Sequence, residues 1–321
     1  RGLLLAPRLA MQSSMMKTVV VVAGPTGIGK TRTGLALAKD YNSVIVSADS
    51  RQIYREIPIG TAAPTPEEQA EIPHFLVGTR SVFDYYNAFE FEQDALRCVQ
   101  EAFVDKDVVF MVGGSMMYLD AFCNGIDELP TVDPQLRKDL MARFSEEGLA
   151  SLRMQLKQLD PEFYKQVDLK NAKRVIHALE ICLMTGRPYS SLRTQPKKKR
   201  PFQIIRVGLH MDRALLYERI DLRVEQMLAK GLEEEARSLW PHRDLNALNT
   251  VGYKELFAYF EGEYGLDRAL ELIQRNSRRY ARKQLSWFRR DVSIQWFHPS
   301  DLSALLTYIE AERKKWREEL A

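Results

Sequence analysis

The sequence predicts an α/β protein built on a P-loop-type parallel sheet core with helices on both faces and helical additions. Three observations carry that expectation. Its Val/Ile-rich segments are continuous rather than alternating, as strands buried on both faces must be. Helical stretches separate them. A glycine-rich octapeptide follows the first of them and opens the first helix.

Taken in order, Thr18–Ala23 (TVVVVA) reads as the first strand, ending at Gly24-Pro25, with a helix from Lys30 to Tyr41. Ser43–Ser47 is the second strand, closed by Ala48-Asp49-Ser50, and Asp107–Val112 is the third, closed by Gly113-Gly114-Ser115. Gln203–Leu209 and Val292–Phe297 are the fourth and fifth. Asp133 to about Met184 has helical periodicity broken at Gly148 and Pro161, and Leu215–Arg290 is helical with breaks at Pro241, Gly252 and Gly262. The resulting organisation is a P-loop core over 17–130, a helical addition over 131–170, a core continuation over 171–225, a basic helical segment over 226–288, and the last strand with a C-terminal helix over 289–321. Residues 1–16 hold two arginines and no acid. Their apolar run is too short for a signal peptide, and Met11, Met15 and Met16 each serve as a plausible start. They are read as a disordered or expression-derived leader.

The bulk composition excludes more than it selects. At 45% hydrophobic and 28% charged residues, with a net charge of +3, the chain is an ordinary globular protein. Cys98, Cys123 and Cys182 form no C-x-x-C pair, which argues against a disulfide framework or zinc site and fits a reducing cytosol. No apolar run reaches the roughly 18 residues of a membrane span. Nothing in the pattern demands an obligate assembly, so a monomer is expected.

The octapeptide Gly24-Pro25-Thr26-Gly27-Ile28-Gly29-Lys30-Thr31 satisfies G-x-x-x-x-G-K-[ST] between a strand and a helix. Glycines let consecutive backbone N–H groups curl toward phosphate oxygens, and the helix N-terminus adds its positive end. Lys30 adds a point charge, and Thr31 offers a hydroxyl to Mg²⁺. An NTP hydrolase or kinase ordinarily places a metal-binding Asp at a second strand end. The third strand ends instead in Gly-Gly-Ser; the acid at a strand end is Asp49, after the second. A group there meets a nucleophile entering across the strand C-termini and fits a general base; a cap on the next helix or a displaced metal ligand would put a carboxylate there equally well.

Between Arg268 and Arg290 lie eight basic residues and one acid. Arg275, Arg278, Arg279 and Arg282 follow i, i+3, i+4, i+7 spacing and share a helix face, which suits nucleic-acid phosphates. The interleaved Tyr280, Trp287 and Phe288 are read as core. Lys197–Arg200, the unbroken charge run, is read as an exposed loop.

Taken together these residues resemble the bacterial tRNA dimethylallyltransferases. The likeness runs in order from about Lys17: Gly24–Thr31, Asp49-Ser50-Arg51-Gln52-Ile53-Tyr54, Gly60-Thr61-Ala62, Val112–Ser115, Asn171-Ala172-Lys173-Arg174, Val251-Gly252-Tyr253-Lys254 and Arg282–Phe288. The resemblance implies transfer of a five-carbon group from dimethylallyl diphosphate to N6 of adenosine-37 in the tRNA anticodon stem-loop. It implies diphosphate on Thr26–Thr31 with Mg²⁺ on Thr31, Arg223 as a further cation, Asp49 as the base and Ser115 as a partner for the flipped adenine. It further implies tRNA contacts from Asp49, Ser50, Arg51, Gln52, Arg137, Lys173, Arg174, His177, Gly252, Tyr253, Lys254, Lys283, Gln284 and Arg289, beside Arg278 and Arg282 of the arginine face. Ser115 replaces the usual Thr and His177 the usual Arg. Three rivals share parts of the pattern: a P-loop small-molecule or nucleoside kinase, a prenyltransferase acting on free adenine nucleotides, and a nucleotide-gated RNA-binding module.

Overall fold

The computed structural model describes residues 16–126, 129–130, 132–192 and 197–321, so the expected leader lies outside the described residues except for Met16. The sheet is entirely parallel, with six strands: β1 (Thr18–Ala23), β2 (Ile45–Ser47), β3 (His74–Phe75), β4 (Val108–Gly113), β5 (Gln203–Leu209) and β6 (Gln295–Phe297), in spatial order β3-β2-β4-β1-β5-β6. The five expected strands are all present, two of them shorter than their apolar runs. The two-residue β3 was not anticipated, because two half-buried residues leave no period to detect.

Every β1 residue is buried, and its side chains divide by parity. Val19 and Val21 join a core with Phe91, Ala95 and Val99 of α3 (Ala88–Ala102) and Phe122 of α4 (Met116–Asn124), numbering helices from α1 (Lys30–Asp40) and α2 (Pro66–Glu71). Val20 and Val22 pack on the other face against Leu37 and Ala38 of α1 and Leu305 and Ile309 of α13 (Leu302–Leu320). That two-sided burial explains why the strands read as unbroken runs. After β1 the chain builds one flank of the sheet, then crosses to β5 on the other, so the loop after β1 sits at the point where strand order reverses. Ligands of open α/β sheets bind there.

The chain divides into two compact units, one of Asn124–Lys198 and one of the remainder. The smaller contains α5 (Pro134–Glu147), α6 (Ala150–Leu159), α7 (Pro161–Gln166) and α8 (Ala172–Thr185), which bury Leu140, Leu152, Leu156, Val175 and Leu179 together. Sequence reading returned to the core at 171. Instead α8 stays with this unit, because its apolar stripe is the seam on which α6 packs.

Within the larger unit, α9 (Arg213–Ala229), α10 (Leu232–Leu239), α11 (Tyr253–Phe260) and α12 (Leu266–Phe288) form a separate helical cluster with the loop after β2. Ile53, Ile57, Val224, Leu232, Tyr253, Leu256 and Ile273 make its core. Arg200, expected on an exposed loop, is largely buried; it pairs with the 1%-exposed Glu92 at 2.9 Å and donates to the carbonyls of Ala121 and Phe122. No helix among the described residues is long and apolar enough to cross a membrane.

Candidate functional site

The loop after β1 is shaped by backbone freedom. Gly27 and Gly29 hold φ of +81° and +101°, conformations that suit glycine, and a Cβ on Gly27 would lie 2.8 Å from Ile220 of α9. Gly29 then caps α1, whose free N-terminal amides open into a cavity of about 650 Å³. Lys30 folds back so that Nζ donates to the Pro25 carbonyl at 2.8 Å. Burial and, less strongly, nearby Arg223 lower its pKa to about 7 against the opposing charge of Asp49. Arg223, on α9, reaches over the loop with Nη1 3.4 Å from Thr26 Oγ1. Its pKa is also depressed, chiefly by burial and by Arg51 and Arg219, against the stabilising charge of Asp49. The P-loop and Arg223, distant in sequence, thus meet.

The strand ends complete one wall. Ala48 N–H donates to Val112 O, and Ser115 N–H returns to Ala48 O, closing β2 against β4 beyond their last pairs. Asp49 emerges from that seam. Its Oδ1 accepts from Arg51 N (2.8 Å) and Gln52 N (3.0 Å), so one carboxylate oxygen caps the following turn. Sequence reading offered Asp49 as a cap on the next helix; it caps a turn instead, and it also lines the cavity with Lys30 and Arg223 within electrostatic reach. Ser115 Oγ accepts from Ser50 N at 2.7 Å and faces Ser50 Oγ at 3.1 Å, which fixes the same turn.

Two side chains expected to touch RNA do other work. Gln284, 2% exposed, accepts from Thr26 N at 2.8 Å and donates to Gly114 O at 2.9 Å, bolting α12 to the phosphate loop. Tyr253 is fully buried, its hydroxyl bound to Glu235 of α10, whose carboxylate also accepts from Ile59 N and Gly60 N. These contacts hold the 57–63 loop, which forms much of the far cavity wall. Arg51 donates to the carbonyls of Gly60 and Val251 and lines the same space, while Gln52 donates to Thr61 O and Ala62 O.

The arginine face is partly spent. Arg278 pairs with Asp221 of α9 at 2.5 Å, and Arg275 is half-buried. Arg279, Arg282, Lys283, Arg289, Arg290 and Lys254 remain exposed. In the smaller unit Lys173 and Arg174 are exposed. Arg137 is bidentate on the fully buried Glu180, and His177 Nδ1 lies 3.6 Å from the same carboxylate. Gly252 (φ +99°) lines the cavity where α11 begins.

Sequence reasoning missed Arg219, Lys230, Arg32 and Tyr280 as cavity residues. Among the described residues the lining holds six bases (Lys30, Arg32, Arg51, Arg219, Arg223, Lys230) against Asp49 and Glu68, an anion-binding balance. Arg219 and Arg223 lie one helical turn apart, a signal that α9 could have offered had its cavity-facing side been known. Of the three aromatics read as core, only Phe288 is; Trp287 is 36% exposed and Tyr280 lines the cavity.

A family model described as IPP transferase matches residues 52–291, beginning just beyond Asp49. The chain is 54% identical to tRNA dimethylallyltransferase 1 of Bacteroides fragilis, over 93% of its own length and 99% of that protein. It is 45% identical to the tRNA dimethylallyltransferase of Cytophaga hutchinsonii, over 94% and 99%. The full-length tRNA isopentenylpyrophosphate transferase from Bacillus halodurans matches it with a TM-score of 0.69 and 32% identity, over 95% and 99% of the two chains. A eukaryotic dimethylallyltransferase crystallised acting on tRNA shares the fold, with a TM-score of 0.73 at 24% identity, over 89% of this chain and 75% of that one.

Proposed function

The chain belongs to the IPP transferase family, and we propose that its cavity transfers a dimethylallyl group from dimethylallyl diphosphate to N6 of adenosine-37 in a tRNA anticodon loop, releasing diphosphate. The observation that supports this most directly is one cavity holding both a P-loop crowded with cations and the single strand-end carboxylate, Asp49.

Heterolysis of the allylic C–O bond leaves the electron pair on diphosphate. The loop amides, Lys30 and Arg223 are already aimed where that negative charge grows, so they reorganise little as it forms. The adenine amine supplies its lone pair to the allylic carbon, and Asp49, through the oxygen not used in capping, takes the N6 proton. Ser115 orients the turn that carries Asp49, with a lone pair left for the incoming base. Extruding a base from the loop stack costs a few kcal/mol, and the exposed cations of α12 offset it through phosphate contacts.

The donor set also fits Mg²⁺. No group of three or more His, Cys, Asp and Glu side chains gathers among the described residues. Mg²⁺ keeps much of its water and takes substrate phosphate oxygens, so the Thr31 hydroxyl, lining the cavity beside Lys30, would suffice as its protein anchor, with Asp49 near. It would supply further positive charge against the leaving diphosphate. The kinase reading is not favoured: β4 ends in glycines, and a Cβ on Gly114 would run into Gln284 Nε2 and lie 2.9 Å from the backbone oxygen of Gly24, so a longer side chain there is crowded. With tRNA as the acceptor, we read the place of action as the cytoplasm, and we keep the expectation of a monomer.

Asp49→Asn is the informative variant, since it keeps the oxygen that caps Arg51 and Gln52 while losing the base. With radiolabelled donor and unmodified tRNA, turnover should fall at least about 100-fold while tRNA affinity stays within about 3-fold. Equal losses in both would exclude the base role.

A further inference from the structure

Tyr280 is the one aromatic residue lining the cavity among the described residues. It lies on the face of α12 that also presents Ile273, Ser277 and Gln284, at helical spacings of seven, three and four residues from it. Gln284 is fastened to both Thr26 and Gly114, so Tyr280 is held about 6 Å of helix rise from the phosphate loop. Its hydroxyl takes no hydrogen bond from the described protein. Burial and, less strongly, the charge of Asp49 push that hydroxyl's pKa up to about 12 against the opposing charge of Arg51. The side chain is therefore partly buried and within electrostatic reach of Asp49.

Resting on the prenyl-transfer reading above, we propose that the Tyr280 ring is a catalytic group that faces the allylic carbon and stabilises its positive charge as the C–O bond breaks. The electron pair of that bond departs with diphosphate, and the carbon stays electron-poor until the N6 lone pair arrives. During that interval its neighbours must stabilise a cation without bonding to it. A carboxylate, hydroxyl or water pressed against the carbon would capture it, whereas an aromatic face offers negative potential and no nucleophilic lone pair in the ring plane's normal. Every other cavity side chain near the loop is charged, polar or aliphatic, and the carboxylate among them, Asp49, is the group assigned to the acceptor nitrogen. The cations serve the diphosphate and would oppose a second positive charge, which leaves the ring as the group suited to the carbon.

The experiment uses the full chain with Mg²⁺, unmodified tRNA and either dimethylallyl diphosphate or a fluorinated analogue whose allylic cation is less stable. Tyr280→Phe should retain kcat within about 3-fold, because the ring is kept. Tyr280→Leu should lower kcat about 3- to 30-fold with KM for both substrates within about 2-fold. The rate penalty for the fluorinated donor should grow in Tyr280→Leu and not in Tyr280→Phe. If Tyr280→Leu does not fold, pentafluorophenylalanine at 280 keeps the ring's shape and inverts its charge distribution, and should show the same kcat loss. A kcat within 2-fold of wild type in that protein or in Tyr280→Leu overturns the proposal, as does a Phe variant as impaired as Leu, or a loss confined to donor KM. Failure of the wild-type protein itself to prenylate tRNA would instead remove the underlying reading.

Discussion

Glu235 supports the cavity from outside it, and its removal should cost both stability and donor binding. Its carboxylate accepts from Ile59 N at 2.9 Å, from Gly60 N at 3.0 Å, and from the hydroxyl of the fully buried Tyr253. Glu235→Ala leaves three donors without their acceptor. A hydrogen bond to a charged group contributes about 1.5–3 kcal/mol, and water cannot replace it at Tyr253. The loop amides can recover about half from solvent, so counting the hydroxyl in full gives a total of about 3–6 kcal/mol. The loss should be local at first, since these donors tie the 57–63 loop to α10 and α11 rather than to the sheet. Urea unfolding followed through tryptophan fluorescence measures the global part, with Trp240 beside the affected cluster. Hydrogen exchange at the Ile59 and Gly60 amides measures the local part. Donor KM should rise together with exchange, because Gly60–Ala63 line the cavity. Glu235→Gln, which keeps one acceptor oxygen but turns an NH₂ toward a donor, should fall about midway. A Glu235→Ala protein within about 0.5 kcal/mol of wild type, with unchanged amide protection, would refute this account of the loop.

Three further outcomes follow from the same geometry. Lys30, with a pKa lowered to about 7 by burial and Arg223, is largely neutral above that pH until diphosphate restores its charge; diphosphate affinity should therefore weaken from pH 7 to 9 more steeply in wild type than in Lys30→Met, where the ligand's own titration is common to both. For the unliganded protein the trend runs the other way: a depressed lysine pKa destabilises increasingly as pH falls from about 10.4 to 7, so calorimetry should show wild type gaining on Lys30→Met as pH rises through that window, and parallel curves would contradict the shift. Arg279→Ala with Arg282→Ala should weaken tRNA binding and flatten its salt dependence by about two phosphate contacts, whereas Arg278→Ala should mainly cost stability through Asp221; the reverse pattern in filter binding and melting would reassign the face. Gly113→Ala would drive a Cβ into the Ala48 carbonyl between β2 and β4, so melting should fall by the equivalent of more than about 2 kcal/mol, and an unchanged Tm would mean the seam can open.

Much of this protein was legible before its fold was known, for identifiable reasons. Strands buried on both sheet faces must be apolar at every position, so β1, β4 and β5 announce themselves as runs, and a phosphate loop needs glycines at set spacing, so Gly24–Thr31 is visible as a string. Asp49 is legible because it stands at a strand's end. Helix-face arguments were weaker. Spacing alone placed Arg278 with Arg275, Arg279 and Arg282, yet it could not show that Asp221 on α9 would claim Arg278. It made Tyr280 and Trp287 core by analogy with Phe288, although only one of the three faces the sheet.

What the sequence determined by itself is therefore the chemistry that is local in the chain: buried strands, a cradle for phosphate, and a carboxylate set at a strand terminus. What tertiary structure alone decided is which face of each helix meets the cavity. Arg219, Arg223 and Tyr280 become one site with Thr26 and Asp49 only because α9 and α12 pack across the β1 loop, where Gln284 and Ile220 touch it. A helix's own periodicity specifies which residues share a side, while its neighbours specify what that side is for.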